Sequence, residues 1–129
     1  ASDGSTLLEL PLAEGQSWCL VWNHSVAGFP VRDCFIWNSP YLKLRSSHQP
    51  DFAAGLGHFE GRGRLSAASE GGYLIDGIDE ALPENRLVVR VGSAAVDHRI
   101  EIDVRTISLS EQLAGERVTI RAADRTVSQ

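Results

Sequence analysis

At 129 residues the chain has the length of one domain, enough to bury a single core without several disulfides or a metal to hold it folded. Hydrophobic residues at 43% and charged residues at 22% lie at globular averages, which excludes a disordered or low-complexity chain. A formal charge of -5 without a basic stripe argues against nucleic acid as a partner, and no run of about eighteen apolar residues offers a membrane-spanning helix.

The chain opens on Ala1-Ser2-Asp3-Gly4 and holds no methionine, which points to a processed or trimmed start. Any signal or anchor helix would precede residue 1. Leu7, Leu8, Leu10 and Leu12 form an apolar run interrupted by Pro11, read as a short edge strand. Trp18, Leu20 and Trp22 then alternate with Cys19, Val21 and Asn23, so both faces of the next strand carry apolar side chains and the strand is expected to be central. Residues 31–38 form its partner, with Val31, Asp33, Phe35 and Trp37 on one face. A hairpin centred between Val26 and Ala27 sets Cys19 directly opposite Cys34. Non-hydrogen-bonded pairs bring Cα atoms to about 4.5 Å, within disulfide range. Closing a loop of about 15 residues would contribute roughly 3 kcal/mol and would support an extracytoplasmic address. The alternative of equal weight is two reduced thiols buried on a shared face.

Tyr41 to His48 reads as a third strand, with Leu42 and Leu44 inward and Lys43 and Arg45 outward. Residues 49–64 lose all period and read as a long glycine-containing loop. A short strand follows around Tyr73, Ile75 and Ile78. Residues 86–92 and 96–102 read as the arms of a second hairpin around Ser93-Ala94-Ala95. Ser108-Leu109-Ser110-Glu111 is a capping box ahead of Leu113 and Gly115, giving one short helix. Residues 117–122 read as the last strand and 123–129 as a frayed tail. About eight short strands with one small helix near the C-terminus predict an all-β single domain over residues 1–129, an antiparallel β-sandwich or distorted barrel.

The order of several short motifs resembles the domain of unknown function 1850 family. They are Trp22-Asn23-His24-Ser25-Val26, Pro30-Val31 with Asp33, Tyr41-Leu42-Lys43-Leu44, Ala54-Gly55-Leu56, Gly72-Tyr73 with Gly77-Ile78, and the strand from Leu87 to Gly92. Members of that family are small extracytoplasmic proteins often encoded beside TAXI-type TRAP transporters. The resemblance implies an accessory role, with the transporter's membrane subunits or its solute-binding protein as partners and a periplasmic or otherwise extracytoplasmic location, membrane-anchored or free. Two positions depart from the family pattern. Ala27 stands where a glutamate commonly follows the His-Ser-Val triplet, and Gly57 stands where the glycine loop usually ends in proline. A mechanism that depended on that glutamate would be missing here.

Candidate ligand or interaction residues are His24, Ser25, Asp33, Gly55 and Gly57. His24 and Ser25 invite a hydrolase reading, but neighbouring side chains on a strand point to opposite faces, so they are poorly placed to exchange a proton. Asp33 on an apolar face must find donors or shift its pKa upward. The expected structural answer is satisfaction by loop amides, Arg32 or Arg45; the functional one pairs His24 with Asp33 or with Asp51 in a polar cluster at the end of the strand pair. The four histidines, His24, His48, His58 and His98, lack metal-ligand spacing, so neither a metal, such as one shared by His48 and His58, nor a cofactor is expected. No helix follows Arg64 to make the glycine loop a phosphate cradle. Trp18, Trp22, Trp37, Tyr41, Phe52 and Phe59 are read as core before cleft. No catalytic set is assigned.

Overall fold

A computed structural model describes residues 6–23, 30–49, 64–67 and 72–124, which form two packed, unclosed β-sheets: a sandwich. In chain order the strands are β1 (Thr6–Leu12), β2 (Ser17–Asn23), β3 (Pro30–Asn38), β4 (Tyr41–Gln49), β5 (Arg64–Ala67), β6 (Tyr73–Asp76), β7 (Glu80–Ala81), β8 (Arg86–Arg90), β9 (Arg99–Ile102), β10 (Arg105–Ser108) and β11 (Arg117–Asp124). A four-residue helix, α1 (Ser110–Leu113), precedes β11. The large sheet runs β10-β9-β2-β3-β4-β6-β5, with β7 added to the near end of β4; the small sheet runs β1-β11-β8.

The hairpin of β2 and β3 has the register expected from the sequence. Trp18 faces Phe35, Cys19 faces Cys34 and Trp22 faces Val31. Cys19 and Cys34 are joined in a disulfide across this pair. On the other face Trp18 stacks on Phe35 with ring centroids 4.6 Å apart, at the centre of the core. Leu42 and Leu44 of β4 turn inward as predicted, and Leu12, Ile100 and Ile120 beside them are wholly buried. Each such side chain contributes about 1.5–3 kcal/mol relative to exposure. The small sheet covers this core with alternate residues: Leu8, Leu10 and Leu12 from β1, Val118 and Ile120 from β11, and Val89 from β8. β1 is an edge strand, as its proline foretold, but it lies parallel to β11, from Thr6 opposite Val118 to Leu12 opposite Asp124.

Three expectations are corrected. Residues 86–92 and 96–102 do not form a hairpin: β8 pairs with β11 in the small sheet, whereas β9 pairs with β2 in the large one. Both arms satisfy the strand period, but each buries its apolar face better against a distant strand than against the other. The connection is compacted at Gly92, where a Cβ would stand 2.8 Å from the Cβ of Val96. Second, the supposed tail begins too early, because β11 continues through Ala123 to Asp124 by pairing with β1. Third, the strand count is eleven among the described residues; β5, β7 and β10 are the strands not read from the sequence. The helix is as short as expected, and half of its capping box is in place: the Glu111 N–H donates to Ser108 Oγ at 3.2 Å. Gly115 ends it with φ +84°, a conformation that glycine adopts without a Cβ penalty.

Candidate functional site

β2 ends at Asn23, β3 begins at Pro30 and β4 ends at Gln49, all at one end of the large sheet. The polar side chains of the interior collect at that end because of a bulge. Cys34 pairs with Ser46 and Phe35 with Leu44, leaving Arg45 as an extra residue on β4. An extra residue inverts the inward and outward positions beyond it. Strict alternation from Leu42 and Leu44 would turn Ser46 and His48 inward; instead Ser47 and Gln49 are buried.

Ser47 thereby meets Asp33, its cross-strand partner, on the inner face. Its hydroxyl donates to Asp33 Oδ1 at 2.6 Å and accepts from Gln49 Nε2, also at 2.6 Å. Ser47 is thus a donor to Asp33. Of the basic donors expected from the sequence, Arg32 lies on the opposite face and pairs with Glu101 at 3.0 Å, and Arg45 is the exposed bulge residue. A hydroxyl on a carboxylate is a charge-assisted bond, roughly twice as strong as a neutral one. Here it lets a carboxylate sit between Leu20 and Ser47 on an otherwise apolar face. His48, its neighbour in sequence, points to the other face, and the Ser47 hydroxyl donates its hydrogen bond directly to the carboxylate.

A second polar knot joins the start of β9 to the small sheet. His98 Nδ1 accepts the Gly92 N–H at 2.8 Å, so the proton of the neutral ring is on Nε2. The His98 N–H donates to Ser110 Oγ at 2.9 Å, and that hydroxyl donates to the Gly92 carbonyl at 2.8 Å. The His98 carbonyl accepts from Leu109 N–H at 2.8 Å. Trp22 stacks on the imidazole with centroids 5.5 Å apart. Burial lowers the His98 pKa from its ordinary 6.5, and the nearby Asp97 carboxylate offsets part of that. His98 is therefore no surface histidine: it holds the 91–98 connection against α1 and the end of β2. Its only sequence signal is its place in phase with Ile100 and Ile102.

Of the residues singled out from sequence, the structure brings Cys19 to Cys34 and sets Asp33 into a polar chain. His24, Ser25, Gly55 and Gly57 lie outside the described residues, as do Asp51, Phe52, His58 and Phe59. Trp18 and Trp37 belong to the core, Trp22 packs at its margin and Tyr41 is exposed. Among the described residues no three of His, Cys, Asp and Glu gather as metal ligands would. No helix among them is long and apolar enough to cross a membrane. On the outer face the disulfide lies between Glu101 of β9 and Ser46 of β4, one position from the Arg32–Glu101 bridge.

A family model described as a domain of unknown function (DUF1850) matches residues 19–109. The chain belongs to this family. The DUF1850 match opens on Cys19 of the disulfide and closes on Leu109 at the start of the helix, so it takes in Asp33, Ser47, Gln49 and His98. It spans the large sheet from the third residue of β2 onward, but of the small sheet only β8. The DUF1850 region therefore needs β1 and β11 from the flanks to cover its core. No curated protein and no solved structure matches the chain.

Proposed function

We propose that the protein is a non-catalytic interaction module, held outside the cytoplasm, that docks on the membrane subunits or the solute-binding protein of a TAXI-type TRAP transporter. The observation that carries this reading is the outer face of the small sheet. Leu7 of β1 and Val88 of β8 flank Thr119 of β11 in one cross-strand row, at 51% and 58% exposure. Apolar side chains aligned on an exposed sheet face suit a partner surface better than water. The disulfide supports an oxidising, extracytoplasmic address. At the other candidate place Asp33, Ser47 and Gln49 are joined in one hydrogen-bonded chain, which supports a structural role.

The test is co-purification of the protein with the three transporter components expressed together, beside Asp33→Ala and His24→Ala variants. A stable complex that survives in every folded variant is the expected result. A folded wild-type protein that captures none of the components, while retaining a small molecule, would overturn the docking reading in favour of a ligand-binding site around His24, Ser25 and Asp33.

A further inference from the structure

β8 closes one edge of the small sheet, and its hydrogen bonding shows which of its backbone groups face outward. Val91, just beyond it, donates its N–H to the Glu116 carbonyl at 2.9 Å and accepts from the Gly115 N–H at 2.8 Å. Antiparallel bonding repeats every second residue, so Val89 and Leu87 also spend their backbone groups on β11. Those of Arg86, Val88 and Arg90 point away. The Arg86 N–H is taken by the Pro83 carbonyl. Val88 and Arg90 thus present main-chain donors and acceptors on an edge with which no strand pairs among the described residues. A groove of ≈ 500 Å³ reaches from this edge to β11, lined by residues that include Leu82, Arg86, Leu87, Val88 and Thr119. Leu82 and Leu87 are half-buried and Val88 is exposed.

The charges on β8 select what can pair with it. Arg86 and Arg90 flank Val88 on the outer face, in a chain whose formal charge is -5. A second copy pairing antiparallel about Val88 would set each Arg86 opposite an Arg90, and like charges directly opposite are destabilising. Cations on an edge bar self-association in this way while leaving the edge open to a complementary strand. Arg86 meets Glu84 only at 3.6 Å in an exposed pair, and Arg90 spends one N–H on the Gly115 carbonyl at 3.2 Å. Both guanidiniums keep further donors. We propose that the β8 edge receives an extended segment of a partner protein in which two acidic residues flank three apolar ones. The acids meet Arg86 and Arg90, the central apolar residue meets Val88, and the two between them cover Leu87 and Val89. The pattern is symmetric, so it fits in either strand direction. This deepens the docking reading above and rests on it.

The test titrates the isotopically labelled full chain with a synthetic peptide carrying two glutamates around three valines, following backbone amides by NMR. Shifts centred on Val88 and Arg90 are expected, with affinity weakening as salt rises. A lysine-flanked peptide and one N-methylated on the groups facing β8 should each bind at least tenfold more weakly. The double variant Arg86→Glu with Arg90→Glu, whose melting temperature checks that it folds, should exchange preference toward the lysine peptide. Equal binding of the N-methylated peptide, shifts elsewhere on the surface, or an unchanged preference in the double variant would each overturn the proposal. So would concentration-dependent broadening of the same amides without peptide, which would give the edge to a second copy. If the double variant still co-purifies with the transporter components as wild type does, the edge is the wrong surface although the docking reading stands; if wild type captures none of them, the docking reading itself falls.

Discussion

At the end of the large sheet where β2 and β4 finish, Asp33, Ser47 and Gln49 turn inward and bond to one another, and on the reverse face Arg32 is held by Glu101. On the outer face of the small sheet, Leu7 of β1 and Val88 of β8 stand more than half exposed on either side of β11, and β8 has no further strand beside it among the described residues. The first region places polar groups where water is scarce, so each must be paired, and pairing makes it a structural lock. The second places apolar groups where water is plentiful, where they contribute little to folding and are available to a partner. Polar residue type alone points to the first region; the pairing of its polar groups is why the docking surface is proposed in the second.

Substitutions in the two regions should therefore separate stability from binding. The largest effect is expected from Cys19→Ser with Cys34→Ser, which opens a loop of sequence separation 15. On the chain-entropy model it lowers unfolding free energy by roughly 3 kcal/mol. Denaturant unfolding with and without reductant measures it; equal midpoints would remove the disulfide from the lock. Asp33→Ala follows, at about 1–3 kcal/mol, because it strips the Ser47 hydroxyl of its charged acceptor, whereas Asp33→Asn keeps an acceptor oxygen and should cost less. If both variants melt with wild type, the polar chain is not structural.

A smaller, pH-dependent effect belongs to His98. Its folded pKa lies below 6.5, so below that pH the unfolded chain binds a proton that the folded one resists. The stability held by the neutral imidazole is complete above 6.5 and declines as pH falls from there toward the lowered folded value. Protonation of Nδ1 would also break its bond from Gly92. His98→Asn should flatten that part of the pH profile relative to wild type, and parallel profiles would show that His98 contributes no linkage. The smallest effect on stability is expected from Val88→Lys, within about 0.5 kcal/mol because the side chain is exposed. The same change should weaken partner capture; a large loss of stability instead would mean that the small sheet's outer face is part of the lock too.

The family resemblance was legible in the order of short motifs, and the DUF1850 match supports it over residues 19–109. Candidate residues were harder to rank. Asp33 stood out because a carboxylate on an apolar face is rare, but the partners read for it, loop amides, Arg32 or Arg45, did not include Ser47. Ser47 and Gln49 carried no signal, since the β4 segment after Leu44 is polar on both faces and a bulge leaves no mark in such a pattern. His98 was visible only as one member of an alternating run.

What the sequence by itself determined was local: the β2–β3 register, the apposition of Cys19 and Cys34 and the inward turn of Leu42 and Leu44. Alternation with a short connection leaves few registers that bury one face. The tertiary structure alone decided the parallel pairing of β1 with β11, the parting of β8 from β9 and the bulge that turns Ser47 toward Asp33. These depend on which distant strand offers the better surface to bury, and residues some hundred positions apart, such as Leu8 and Ile120, carry no mark in sequence that they will lie side by side.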